Sequence, residues 1–172
     1  MENKVTTTVV KGLMLALVLV VLDLIAGFAH FKFATWFRWI PTLVFCGGII
    51  WSCITYANQN NGNVTFGNVF ADGFKTTAVA TCITVIYTIL SILVIFPETK
   101  DVAMDEARKQ MEAKGNMPQE TIDQAIEMTK KFFVPFAIGG ALIGSIIVGA
   151  IASLIGAAIA KKNPQTPFQN QP

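Results

Sequence analysis

The sequence predicts an all-α integral membrane protein, a four-helix bundle with an extramembrane amphipathic helical hairpin between the third and fourth spans. Hydrophobic residues make up 53% of the 172 residues, and the mean hydropathy is +0.55. Charged residues make up only 14%, whereas soluble domains contain about 25%. Because these charges are clustered, long apolar runs remain that a soluble fold of this size could not bury.

Four of these runs are long enough to cross a bilayer, which takes about 20 mostly apolar residues. They lie at about 12–33, 36–57, 69–96 and 132–160. The first run exceeds the roughly 15 apolar residues of a signal peptide, so we expect a retained anchor. We expect a single membrane domain over residues 1–172, ending in a disordered Pro/Gln/Asn tail at 163–172.

The segments between the first three spans indicate where the chain meets the membrane surface. Aromatic residues crowd the short connection after the first span, as is typical of the headgroup level. The Asn-rich run 58–63 predicts a turn on the opposite surface. Phe66, Phe70 and Phe74 follow a spacing of four, which predicts a short interfacial helix before the third span. Asp72 and Lys75 are expected to form an exposed ion pair.

Residues 98–131 form the polar hairpin, with eight acidic and six basic residues and a net charge of −2. Two helical apolar stripes are present, which could pack on each other or on the bilayer surface: Met104, Ala107 and Met111 in the first, and Ile122, Ala125, Ile126, Thr129 and Phe133 in the second. Gly115 is typical of a helix C-terminus and Pro118 of a helix start.

The charge distribution leaves the orientation open and argues against nucleic-acid binding. Five Lys and Arg residues lie on the side of the termini and eight on the other side. An excess of positive charge favours the cytoplasmic side, but six of the eight lie in the net acidic hairpin. The overall charge of +2 is too balanced for a nucleic-acid binder.

Asp23 is a candidate functional residue because it lies about midway along the first span. Carboxylates at that depth are costly and commonly mark a function. His30 follows on the same helix face, and the two could begin a proton or cation path. The alternatives are that Asp23 bonds to a neighbouring helix as a structural residue, and that His30 is interfacial without a role.

Four threonines of the third span lie within about 60° of one another on the helix: Thr77, Thr81, Thr84 and Thr88. Their hydroxyls could line a polar seam opposite Asp23. Equally, each could bond back to the carbonyl four residues earlier in its own helix.

Small residues at a spacing of four mark a packing or association face on the fourth span: Gly140, Ala141, Gly144, Ser145, Gly149, Ser153 and Ala157. Membrane helices associate where small residues let their backbones approach. This face could pack inside the bundle, or it could bind a second copy of the chain or another membrane protein.

We find no motif for catalysis, a cofactor or a metal. The single His has no Ser or Cys at catalytic spacing, and phosphate-binding glycine loops, HExxH and CxxC are absent from the sequence. We therefore expect a protein that is not an enzyme and has neither cofactor nor metal site.

Four segments of the chain form a specific pattern: FGNVFADGF at 66–74, Phe96-Pro97, the amphipathic stretch 104–132, and a Gly/Ala/Ser-rich last helix that closes on Lys161-Lys162. Together they resemble the bacterial membrane protein family of domain of unknown function 4199 (DUF4199). Many family members have Ser or Thr before the hairpin proline, where this chain has Met117. The resemblance implies a multi-pass protein of the bacterial inner membrane and carries no catalytic residues.

Two functions remain open from the sequence. The first is a non-enzymatic subunit, scaffold or assembly partner in the lipid bilayer, joined to itself or to another membrane protein. The alternative is a small oligomeric transporter or channel that uses Asp23 and the threonines of the third span.

Overall fold

A computed structural model describes residues 6–29, 37–113, 115 and 118–162. Within these residues the chain forms α-helices and no strand. A 3-10 turn at Phe37–Trp39 precedes the second helix, and a π-helical turn at Ser91–Ile95 extends the third. The α-helices are α1 (Thr8–Phe28), α2 (Ile40–Gln59), α3 (Phe66–Leu90), α4 (Thr99–Ala113), α5 (Gln119–Lys131) and α6 (Phe133–Ile159).

Four of the described helices are long and apolar enough to cross a membrane: α1, α2, α3 together with its π-helical turn, and α6. The predicted helical membrane bundle with a polar hairpin is therefore confirmed, and α4 and α5 form that hairpin between the third and fourth spans. α1 begins four residues earlier than expected because the Thr7 side chain caps it, accepting a hydrogen bond from the Val10 amide at 3.4 Å. The tail 163–172 lies outside the described residues.

The expected interfacial helix at residues 66–74 is wrong as a separate element. These residues are the first turns of α3, which runs without a break from Phe66 to Leu90. Val69 is fully buried and Asp72 is 4% exposed, whereas Phe66 and Phe74 are exposed. Burial of Val69 and Asp72 holds this segment in the bundle. A continuous helix keeps both residues on the side of α3 that faces the core.

The chain divides into two compact units, and the first comprises residues 1–84 and 143–172. Its core draws on α1, α2, α3 and α6 and consists of buried apolar side chains: Leu15, Ala16, Phe45, Ile49, Ala80 and Ala152. A second cluster of the same unit lies toward the end of α2: Cys53, Ala57, Val64, Val69, Ala157 and Ala160.

The second unit, residues 85–142, contains the helical hairpin. Its two predicted stripes pack on each other, with Met104 of α4 buried against Ile122 and Ile126 of α5. Gly115 adopts a φ of +63°, the left-handed backbone that commonly ends a helix. Pro118 directly precedes α5.

Two ion pairs on the outside of the hairpin join α4 to α5. Arg108 lies 2.6 Å from Asp123, and Lys130 lies 2.8 Å from Asp101. The hydrogen bond and charge of Lys130 lower the pKa of Asp101, and the same contacts raise the pKa of Lys130. Both pairs are exposed, so water and salt screen them and each adds little stability.

Candidate functional site

The first unit encloses an ion pair between α1 and α3. Lys11 Nζ lies 3.0 Å from Asp72 Oδ2, and the two side chains are 0% and 2% exposed. Lys and Asp are almost never buried this fully unless they are paired. This pair is the most deeply buried charge cluster among the described residues.

Neighbouring groups complete the hydrogen bonding of both charges. Asp72 accepts from Thr8 Oγ1 at 2.5 Å and from Ser52 Oγ at 3.0 Å. Lys11 Nζ also donates to the Ser52 carbonyl at 3.2 Å and lies 5.5 Å from the centre of the Tyr56 ring. The ammonium thus has two oxygen acceptors and one aromatic face for its three hydrogens.

A second hydroxyl extends the cluster along α3. Thr76 Oγ1 lies 2.8 Å from Ser52 Oγ and donates to the backbone carbonyl of Asp72 at 2.9 Å. A hydroxyl carries one hydrogen. When Ser52 donates its hydrogen to the Asp72 carboxylate, the single hydroxyl hydrogen of Thr76 has two acceptors within reach. They are Ser52 Oγ and the Asp72 backbone carbonyl. The hydroxyl hydrogens of this cluster can be arranged in more than one way around the charged pair.

Glycines beside the two charges let the helices approach closely. A Cβ added to Gly12 would lie 2.7 Å from Val79 Cβ and 3.1 Å from the Thr76 carbonyl oxygen. A Cβ added to Gly73 would lie 2.5 Å from Cys53 Sγ and 2.9 Å from Ser153 Oγ. Real Cβ atoms do not approach other atoms at 2.5–2.7 Å, so glycine at these positions permits the contact that buries the ion pair.

The predicted exposed pair of Asp72 with Lys75 is wrong. Asp72 turns into the bundle to meet Lys11, while Lys75 is exposed. At 100° per residue Lys11 shares its helix face with the core residues Leu15 and Leu19. That shared face was the sequence signal for a buried lysine. The sequence does not indicate which acidic residue pairs with Lys11, because Lys11 and Asp72 lie 61 positions apart.

Asp23 is half-buried on α1. It follows Ala16 by seven residues and Leu19 by four, and both contribute to the bundle core. Asp23 therefore lies on the face of α1 that is turned toward the other helices. His30 lies outside the described residues, so the suggested pairing of the two stays a prediction.

The four threonines of α3 differ in their surroundings. Thr77 donates to the Gly73 carbonyl at 3.0 Å, and Thr84 donates to the Ala80 carbonyl at 2.9 Å. Both therefore bond back to their own helix. Thr81 is buried, and its hydroxyl has no hydrogen-bond partner in the described part of the chain; Thr88 is half-buried.

The small-residue face of α6 has a packed part and an open part. Gly149 packs against Thr77, whose Oγ1 would lie 2.7 Å from an added Cβ. Ser153 and Ala157 are fully buried. By contrast, Gly140 and Gly144 are exposed, and a Cβ added to either would meet no described atom within 4 Å. Ala141 and Ser145 are half-buried.

These features define the class of the protein, a helical membrane protein with four spans, a buried ion pair in its bundle and a polar helical hairpin. A family model described as "Protein of unknown function (DUF4199)" matches residues 9–162. The chain therefore belongs to the DUF4199 family, as the resemblance predicted. Neither the curated proteins nor the solved structures contain a match to it. Within the described residues, no three His, Cys, Asp or Glu side chains are grouped to hold a metal ion.

Proposed function

We propose that the protein is a non-enzymatic subunit, scaffold or assembly partner in the bacterial inner membrane. In this proposal it holds a partner through the face of α6 that carries Gly140 and Gly144. The observation that carries the proposal is the open space beside these two glycines. Glycines four residues apart in an apolar helix let another helix approach closely.

The rest of α6 supports the same assignment. Gly149 and Gly156 show the close approach that glycine permits, the former against Thr77 and the latter against Cys53. Gly140 and Gly144 offer the same kind of surface with no described atom against it. Exposed Ile143 and Ile147 flank the two glycines and would pack around a helix seated on them. The partner is therefore a second copy of the chain or another membrane helix.

A leucine placed at Gly144 tests this proposal. The protein is tagged in its native host, solubilised gently and analysed for copurifying proteins and for the size of its complexes. We expect Gly144→Leu to weaken the association about tenfold, equivalent to ~1.4 kcal/mol. Insertion into the membrane should be unchanged, because the new side chain meets open space within the chain.

Gly139→Leu is the matched control, since an added Cβ there also meets no described atom and the position lies about 140° from Gly144 around the helix. This variant should associate like the wild type. If Gly144→Leu kept both the partners and the complex size of the wild type, the proposed face would be wrong. Gly149→Leu separates the two roles of α6, because it should destabilise the bundle itself.

A second candidate function is proton or cation transport by an oligomer, and the buried pair of Lys11 and Asp72 favours it. Ionisable residues inside membrane bundles commonly mark ion pathways. Ser52 and Thr76 extend the hydrogen bonding of this pair. Asp23 on the inner side of α1 would supply a further polar group along such a path.

This second candidate is tested in proteoliposomes that contain a pH-sensitive dye. After an acid pulse, wild type should show a proton flux that Asp72→Asn abolishes. Lys75→Gln, which changes an exposed charge three residues away, should retain the flux. Absence of flux from pure wild type, or an unchanged flux in Asp72→Asn, would exclude proton transport through this pair.

A further inference from the structure

A cavity of about 190 Å³ lies where α2 ends and the chain leaves α6. It is lined by Asn58, Asn61, Gly62 and Lys161. Its lining thus includes two residues with amide side chains and one lysine. These groups offer N–H donors and a positive charge, and none of the four lining residues is acidic.

The backbone of the turn after α2 is already occupied with its own hydrogen bonds. The Asn61 amide donates to the Asn58 carbonyl at 3.0 Å, and the Gly62 amide donates to the Ala57 carbonyl at 2.8 Å. Asn61 and Gly62 both adopt positive φ angles, +52° and +75°. The turn is therefore fixed by its backbone, which leaves the side chains of Asn58 and Asn61 to face a ligand.

Lys161 differs from its neighbour Lys162. Lys162 donates to the Ala157 carbonyl and lies 5.0 Å from the centre of the Phe66 ring. Lys161 is exposed and forms no ion pair with any residue that the structure describes. An uncompensated ammonium beside two amides is suited to the oxygens of a phosphate group.

The surface below the cavity indicates where such a phosphate would come from. Trp51 lies seven residues before Asn58, so it is on the same face of α2 and about 10 Å deeper in the membrane. Trp51 is an exposed apolar side chain. A phosphate beside Asn58 can therefore carry acyl chains along the face of α2 that carries Trp51.

We propose that this cavity binds the headgroup phosphate of an anionic phospholipid. Lys161 pairs with the phosphate, and the amides of Asn58 and Asn61 donate to its oxygens. A zwitterionic headgroup such as phosphocholine would bring its own positive charge close to Lys161 and bind less well. The site is independent of the proposed partner face on α6.

Native mass spectrometry of the full-length protein in detergent tests the site, with phosphatidylglycerol and phosphatidylcholine as the two probes. Wild type should retain phosphatidylglycerol more than phosphatidylcholine. Lys161→Gln should lower phosphatidylglycerol binding about fivefold, the factor that one lysine contributes at an anionic surface. Lys162→Gln removes the same charge one residue away and should leave binding unchanged.

Asn58→Ala and Asn61→Gly test the amides, and the glycine keeps the positive φ of position 61. Both should weaken binding while thermal unfolding stays as in wild type. Equal retention of the two lipids by wild type, equal loss in the two lysine variants, or wild-type binding by both asparagine variants would overturn the proposal. Displacement of the lipid by inorganic phosphate would assign the cavity to the free ion and would also overturn it.

Discussion

At the scale of single residues, Lys11 and Asp72 bring opposite charges into a bundle where either one alone would be costly. Removing an ion from water costs several kcal/mol, and a partner repays this only with good geometry and further hydrogen bonds. Asp72 has three donors, and Lys11 has two acceptors and an aromatic face. The pair therefore joins α1, α2 and α3 in one arrangement.

Single and double substitutions measure this coupling. Lys11→Met or Asp72→Leu alone should lower the free energy of unfolding by about 3–5 kcal/mol, because each leaves an uncompensated buried charge. The double variant removes both charges and should recover most of that loss. Chemical unfolding in detergent gives the free energy of unfolding of the wild type, the two single variants and the double variant. Additive losses in the double variant would show that the two side chains do not interact.

At the scale of elements, the hairpin of α4 and α5 and the helix α6 depend on different interactions. The hairpin is an amphipathic pair whose apolar sides meet at Met104, Ile122 and Ile126, with its ion pairs on the outside. α6 is apolar all round, so hydrophobicity does not select its packed face. Small residues select it instead, because they allow close contact with α2 and α3.

The ion pair of Asp101 and Lys130 makes hairpin stability depend on pH at both extremes. The pKa of Asp101 is below its ordinary value of 3.8. The stability that its charge adds to the hairpin is therefore fully present above pH 3.8 and is lost as the pH falls through the lowered pKa. The pKa of Lys130 is above its ordinary value of 10.5. Its contribution is therefore present below that value and is lost as the pH rises through the raised pKa. Between these limits the contribution should not change.

An NMR titration of the Asp101 carboxyl carbon in micelles checks this expectation. The midpoint should lie below 3.8 in wild type and return toward that value in Lys130→Gln. Lys109→Gln removes an exposed charge eight residues further along α4 than Asp101 and should leave the midpoint unchanged. A midpoint that did not move in Lys130→Gln would show that the pair is absent in solution. Because both groups are exposed, salt should reduce the shift.

At the scale of the whole molecule, four crossings place the start of α1 and the end of α6 on the same side of the membrane. Four crossings predict the turn between α2 and α3 on that side and the connection between α3 and α6 on the other. This follows from the number of crossings and does not require knowledge of the orientation.

Cysteine labelling with a membrane-impermeant thiol reagent tests this topology. In a background without the three native cysteines, Asn60→Cys and Lys161→Cys should be labelled from one side and Lys109→Cys from the other. All three positions are exposed, so the side of the membrane alone should decide their reactivity. Labelling of Asn60→Cys and Lys109→Cys from the same side would contradict four crossings.

The sequence by itself determined the architecture, because crossing a bilayer imposes a length and an apolar composition that can be read along the chain. The four spans were predicted in this way. The two helices of the hairpin were predicted from their apolar periodicity, and the DUF4199 family from a resemblance in several segments. The hairpin stripes were also visible in the sequence, although their packing on each other was only one of two options. Helical periodicity places a residue on a face but does not say what that face meets.

Only the tertiary structure decided which distant side chains meet. Asp72 was expected beside Lys75, its nearest opposite charge in the sequence, yet it pairs with Lys11 in another helix. The small-residue face of α6 was continuous in the sequence, but contacts with Thr77 and Cys53 occupy only its C-terminal part. Local propensity cannot encode these choices, because they depend on how closely four helices approach, and that approach is set by glycines and small residues on several helices at once.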